Sequence, residues 1–214
     1  MEQVTSTRTE LLARRARLEL AEQGRDLLEQ KRDQLMEEFR AVADVALRGS
    51  DELAHAAAEA QRALDIAEAF DGPEQVASAA HAAEYELVLD VAASSVMGVR
   101  IADVGYPPVG RPTTGRGYSL VGSSPRIDAV AERFEAEVEL LLEVATLEAK
   151  LRRLADEIGK TARRINAIEL VVIPRLIAER NFIQSVLDER ERQDRFRLKR
   201  IKDNARRRAE SAAP

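Results

Sequence analysis

The 214-residue sequence contains no cysteine and no tryptophan, and aromatic residues make up only 4% of it. Without cysteine there can be no disulfide, no thiolate nucleophile and no Cys-based zinc or iron–sulfur site, a composition that fits a reducing compartment. Compact mixed α/β cores lean on large aromatics for buried area, and five Phe with three Tyr are too few for that. No stretch approaches the roughly 18 uncharged apolar residues that a bilayer span requires. The polar, Arg-rich opening from Met1 to Arg17 also lacks the apolar run of a secretory signal. The only histidines are His55 and His81, each in Ala-rich sequence without an obvious carboxylate or thiol partner. They read as helix residues rather than as ligands or bases.

What the chain has is charge and aliphatic side chains. Charged residues reach 33%, above a globular norm of about 25%, and the apolar share is mostly Ala, Leu, Val and Ile, the mixture of long helices and coiled coils. The net charge of −5 hides an asymmetry. From Asp51 to Tyr106 eleven acids face only Arg62 and Arg100, a balance of −9. From Asp188 to Arg208 ten bases face five acids, a balance of +5.

Periodicity divides the chain into three parts. Thr7 followed by Glu10 forms a capping box, in which side chains satisfy the free backbone N–H groups of a helix start. A 3-4 spacing then runs through Leu11, Arg14, Leu18, Ala21, Arg25, Leu28, Arg32, Leu35, Phe39 and Val42, and onward to Phe70. The phase is kept across Gly49-Ser50, so one helix is expected over 5–70, stopped by Asp71-Gly72-Pro73. Ser124-Pro125 starts a second long helix, expected over 125–208. Its heptad puts Val144, Leu151, Ile158, Ile165, Val172 and Val186 on one seam, with Leu140, Leu147, Leu154, Thr161, Ile168, Phe182 and Phe196 on the other. Sevenfold repeats of this length imply a left-handed supercoil. Arg175 and Glu179 interrupt the seam just after Pro174, where a bend is expected because proline removes a helical hydrogen bond. Residues 209–214 are expected to be a disordered tail.

Between the helices, 71–124 is acidic and different in texture. Pro73 to Ala83 suggests a short helix. Tyr85, Leu87, Leu89 and Val91 alternate as in a strand, and Met97, Val99 and Ile101 alternate again after Ser94-Ser95, as in a hairpin. Gly105 to Pro125 is rich in Gly and Pro and is expected to be a loop. The fold class is therefore mainly α: a long antiparallel two-helix left-handed coiled coil with a small foot carrying a short helix and a β-hairpin.

No catalytic constellation can be assembled. Gly110 to Gly117 lacks the Gly-Lys-Ser/Thr ending of a phosphate loop and opens no helix. A chain of this kind is expected to bind no cofactor and no metal. The basic end from Arg195 to Arg208 offers phosphate affinity, yet only Phe196 interleaves and four acids lie just upstream, so a nucleic-acid-binding hairpin is a rival reading rather than the expected one. A generic coiled-coil scaffold is the other rival.

Two motif blocks carry a family resemblance. Thr7-Arg8, Leu11-Leu12, Leu18-Glu19-Leu20-Ala21, Gly24, Leu27-Leu28 and Lys31-Arg32-Asp33-Gln34-Leu35 resemble the start of the D subunit of V-type/A-type ATP synthases. The closing stretch from Arg163 to Pro174 is similar to that family as well, with Ile165-Asn166-Ala167-Ile168-Glu169 where the family shows Val-Asn-Ala-Leu-Glu. The likeness continues through Phe182-Ile183, Leu187 to Arg192 and Phe196 to Lys202. The resemblance implies a non-catalytic central-stalk rotor, peripheral at the cytoplasmic face of the cell membrane, which couples ion transport to ATP synthesis or hydrolysis. Its implied partners are the catalytic A and B subunits of the ring, other central-stalk subunits and the membrane-ring adaptor, with no nucleic acid and no membrane insertion. On this reading Arg8, Arg190, Arg192, Arg195, Arg197, Lys199 and Arg200 gather at the free end of the helix pair and face the ring. Met97, Val99 and Ile101, with few partners in so small a foot, are expected to meet another stalk subunit.

Overall fold

The computed structural model describes residues 5–119 and 123–211. Helix α1 (Arg8–Asp71) leads to α2 (Pro73–Ala82) and then to a hairpin of β1 (Asp90–Val96) and β2 (Val99–Gly105). A 3-10 turn at Thr113–Gly115, helix α3 (Pro125–Ala167), a π-turn (Ile168–Val172) and helix α4 (Ile173–Ser211) complete the order. The chain is thus mainly helical with one small antiparallel sheet among the described residues. It forms two compact units, one of Met1–Arg32 with Lys160–Pro214 and one of Asp33–Gly159. Helix α4 runs to Ser211, into the tail expected to be disordered from 209; residues 212–214 lie outside the described ones.

Helix α1 is 64 residues long and starts with half of the capping box, the Glu10 backbone N–H donating to Thr7 Oγ1 at 3.2 Å, while the Thr7 N–H donates to the Thr5 carbonyl and the Glu10 carboxylate pairs with Arg14. It ends where Gly72 takes a φ of +88°, a conformation glycine adopts without Cβ strain, and Pro73 opens α2. Gly49 does not interrupt it. A Cβ at Gly49 would lie 3.1 Å from Cγ2 of Val144, so α3 approaches closely at the glycine, and its lower helix propensity is offset by that fit.

In the unit of Asp33–Gly159, α1 and α3 run antiparallel, stitched by Lys150 to Glu38 at 2.7 Å, Arg133 to Glu59, and Arg126 to Asp71 at 2.7 Å. One core cluster joins Leu35 and Val42 of α1 with Leu154 of α3 and Val99 and Ile101 of β2. A second joins Ala67, Val76 of α2 and Ile127 of α3. The hairpin therefore lies against the helix pair and completes its core. This corrects the expectation for Val99 and Ile101, which are buried in the chain's own interior rather than left for a partner. Burying each such side chain contributes about 1.5–3 kcal/mol.

The hairpin turn also differs from expectation. Ser94 and Ser95 lie inside β1, opposite Ile101 and Arg100, and the chain reverses at Met97-Gly98, with φ of +52° and +80°. Two successive positive φ values make a type I′ turn, whose twist matches that of the strands. The ladder ends at Asp90 opposite Gly105, so Tyr85 to Leu89 form no strand. The reason is Pro107-Pro108, which follows Tyr106 and has no N–H to continue the pairing.

In the unit of Met1–Arg32 with Lys160–Pro214, Leu11 and Leu18 of α1 are buried, as are Thr161 and Ile165 of α3 and Leu176 and Ile183 of α4. Here the extrapolated heptad fails. Val172, Phe182 and Phe196 are 40%, 57% and 62% exposed, while Leu176 and Ile183 take the inner positions. The cause is the π-turn, in which the Ile173 N–H donates to the Ile168 carbonyl, five residues back. Such a turn inserts one residue into the helix. It also widens the backbone just where the Pro174 ring would otherwise press on the carbonyl of Leu170. The seam positions just beyond it move by one residue, from Arg175 to Leu176 and from Phe182 to Ile183.

Two stability outcomes follow from these contacts. Gly49→Leu is expected to destabilise the chain by about 1–3 kcal/mol through overpacking against Val144, whereas Gly49→Ala should stay within about 1 kcal/mol because regained propensity offsets the contact. Thr161 is fully buried and its hydroxyl has no hydrogen-bond partner, so Thr161→Val should raise stability by about 1 kcal/mol. Guanidinium unfolding followed by circular dichroism measures both, and equal midpoints for Gly49→Leu and the parent would refute the close approach.

Candidate functional site

Of the basic residues singled out above, Arg8 and Arg190 lie where the N-terminal segment meets α4, and the others follow along α4. Arg8 Nη2 reaches Glu191 Oε1 at 2.6 Å, and Arg190 Nη1 donates to the Ser6 carbonyl at 3.0 Å. The Arg192 guanidinium lies over the Phe196 ring, 5.9 Å from its centroid. Arg195 is 3.6 Å from Glu191, and Arg197 is 3.9 Å from Asp194. Lys199 and Arg200 are exposed. These surface pairs are worth only about 0.2–1 kcal/mol each. Past Glu191, α4 continues for about twenty residues, a rise of roughly 30 Å, and every residue from Glu191 to Arg207 is exposed. That stretch exposes Phe196, Leu198 and Ile201 among its cations. Its chemistry is that of a contact surface, apolar anchors set within positive charge.

Deeper in the same unit, Arg14 occupies the seam itself. It bridges Glu10 and Glu179, each at 2.9 Å, and Arg175 also reaches Glu179 at 2.9 Å. A polar group at a seam position costs stability and fixes register, which accounts for arginine at this position.

In the other unit the hairpin exposes most of β1, with Val91 as an apolar residue on that surface. Met97 is exposed at the turn, but Val99 and Ile101 are not. The ordered polar centre lies instead in the Gly/Pro loop, which sequence reasoning passed over. Glu135 of α3 accepts from Arg116 Nη2 at 2.8 Å and Nε at 3.2 Å, and from Arg111 Nε at 3.2 Å and its backbone N–H at 3.1 Å. Arg111 Nη2 also donates to the Ala83 carbonyl at 3.1 Å, and Tyr118 donates to Asp128 at 2.5 Å. Arg116 and Glu135 are both buried. Hydrogen bonding to Glu135 raises the Arg116 pKa well above its ordinary value. For Glu135, burial alone would raise the pKa, but the hydrogen bonds from Arg116 and Arg111 outweigh it and lower the value. The pairing spans 19 residues and follows no period, so no sequence pattern announces it.

His55 has a neighbour after all, Glu59 at 3.5 Å across one helical turn, and both are on the surface. Among the described residues no three His, Asp or Glu side chains converge as metal ligands, and no helix is long and apolar enough to cross a membrane.

Comparison with known proteins places these features in a family. The family model for the ATP synthase D subunit matches residues 10–203. The D subunit of the A-type ATP synthase of Pyrococcus furiosus is 40% identical over 199 residues, covering 93% of each chain. The D subunit of the V-type ATP synthase of Thermus thermophilus is 42% identical over 210 residues, covering 94% of this chain and 89% of that one. The corresponding A-type D subunit of Methanosarcina acetivorans is 37% identical over 199 residues, covering 93% and 95%.

The Glu135 cluster has a pH signature. Because its folded pKa is lowered, Glu135 stabilises the fold fully above its unfolded value near 4.5, and that contribution is lost as pH falls through the folded value. Glu135→Gln should cost up to about 3–5 kcal/mol at neutral pH by leaving buried Arg116 with only the more distant Asp128, at 3.7 Å, as counter-charge. It should also flatten the loss of stability as pH falls below about 5. Thermal midpoints across that range test both, and a parallel acid limb in the variant would rule the cluster out as its source.

Proposed function

The chain belongs to the D-subunit family of ATP synthases and is a central-stalk subunit of an A-type or V-type ATP synthase, and from that premise we propose that it is the non-catalytic shaft that carries torque between ion transport at the membrane and the nucleotide sites of the ring. The observation that carries this reading is the family match over residues 10–203, which takes in both helical arms and the segment between them. The helical architecture suits the work, since paired helices with side chains locked across a seam resist bending and twisting better than one helix alone.

The end of α4 is the part proposed to meet the catalytic A and B subunits. Phe196, Leu198 and Ile201 supply apolar contact, and Arg190, Arg192, Arg195, Arg197, Lys199 and Arg200 supply charge. Such a surface does work only if it binds the alternative conformations of the ring with different free energies, for a ligand that binds all states equally shifts none of them. At the other end of its task, the acidic segment between α1 and α3 is proposed to bind the remaining stalk subunits and the membrane-ring adaptor, holding the complex peripherally at the cytoplasmic face. The chain itself contributes no reacting group.

The charges at the helix end are tested jointly because single rim charges are worth little. Arg195, Arg197 and Arg200 changed together to Gln should leave helix content unchanged. Affinity for the purified A/B ring should drop by about tenfold at low ionic strength, with its salt dependence reduced. Ion-coupled ATP turnover of the reconstituted complex should fall in step. Unchanged ring affinity and full coupling would mean that this end acts by shape alone.

A further inference from the structure

The unit of Asp33–Gly159 carries a surface pocket of about 350 Å³, walled by Val76 and Ala80 of α2, Tyr85 and Leu87 of the extended segment, and Ile127 and Phe134 of α3. It exists because α2 and the facing turn of α3 offer alanine where a larger side chain would fill the space: Ala79, Ala80, Ala83 and Ala131 all border it. One wall is held by bonds within the chain. Arg111 is held by Glu135 and the Ala83 carbonyl and stacks 5.3 Å from the Tyr85 ring.

Two features determine what it can take. The first is that its polar groups are already engaged: the Glu135 oxygens accept four hydrogen bonds from Arg111 and Arg116, and the Tyr118 hydroxyl donates to Asp128. A polar metabolite or nucleotide would have to compete with these bonds, whereas an apolar side chain needs no partner. The volume suits one or two Leu-, Ile- or Phe-sized groups. The second is the sign of the surroundings. The arginines at the pocket are neutralised by Glu135 and Asp128, while Glu84, Glu86 and Glu132, each next in sequence to a lining residue, are exposed. The segment from Asp51 to Tyr106 has a balance of −9. An anionic membrane surface would be repelled by this charge, and a positively charged partner would be steered towards it.

We propose that this pocket is the docking site for an apolar anchor side chain flanked by Lys or Arg on a neighbouring central-stalk subunit or the membrane-ring adaptor. The proposal rests on the stalk reading for the source of the partner and adds to it the place and the chemistry of contact. A preformed pocket filled by one central anchor, with charge around it, is how protein interfaces concentrate their binding energy.

The test uses the complex reconstituted from its purified subunits. A photo-crosslinking benzoylphenylalanine replaces Ala80, which is exposed at the pocket mouth, and crosslinked peptides are identified by mass spectrometry. The expected product is a peptide of a stalk or adaptor subunit with an apolar residue between bases. In parallel, Ala80→Trp, which fills the pocket, and the pair Glu84→Lys and Glu86→Lys, which reverses its border, are measured for affinity to the purified stalk subunits and to the A/B ring. Both should lose at least tenfold affinity for one stalk subunit while keeping helix content and ring affinity, and only the charge pair should also lose the salt dependence. A crosslink to an acidic peptide or to the ring, no crosslink in a complete complex, or parental stalk affinity in both variants would overturn the docking site. If the unaltered chain bound neither ring nor stalk subunits, the stalk reading itself would fail instead.

Discussion

A helix in a pair can bury only one stripe of side chains, so the stability of this protein depends on a seam about one residue wide. Along α1 that stripe alternates in character. Leu11 and Leu18 are followed by a stretch with Arg25 and Arg32 on the seam and no fully buried residue until Leu35, after which Val42, Ala46, Ala60 and Ala67 are buried again. With so little apolar surface per turn, every supplement matters. The hairpin supplies one by adding Val99 and Ile101 to the Leu35–Val42–Leu154 cluster. The short helix α2 supplies another by placing Val76 against Ala67 and Ile127. The segment between the long helices is thus part of the core of its unit as well as a place for partners.

Local signals were legible in the sequence wherever chemistry acts over a few residues. The Thr7 cap, the stop at Gly72-Pro73 and the unbroken phase through Gly49 all depend on spacings of three to seven, and the structure follows them. The hairpin was visible as alternation, but its turn was misplaced by three residues because Ser94-Ser95 resembles a turn, whereas Met97-Gly98 has a methionine in a left-handed conformation that a propensity argument disfavours. The extrapolated heptad failed beyond Ile168 for a related reason. Proline in a helix advertises a disturbance but does not say whether the backbone will bend or take in an extra residue.

Long-range pairing was not legible at all. Arg111, Arg116 and Glu135 are ordinary residues in sequence, two in a loop rich in glycine and one on a charged helix flank. Only the fold brings four donors onto one carboxylate. Nor could alternation in Met97, Val99 and Ile101 say which neighbour would cover their apolar face, since a strand buried against its own helices and one buried against another protein have the same pattern. Family likeness supplied the functional frame that these residues alone do not.

The π-turn has a consequence for anyone who counts along this helix. In an unbroken coiled-coil segment, residues seven apart share a face. Across Ile168–Val172 the residues that share one are eight apart, Ile165 with Ile173 and Ile168 with Leu176, all at least half-buried. A rule that steps by sevens from the α3 side reaches Val172, Arg175 and Phe182, which face solvent. Crosslinks placed by that rule would miss their targets, and heptads grafted from a relative lacking the turn would carry their leucines to the outside.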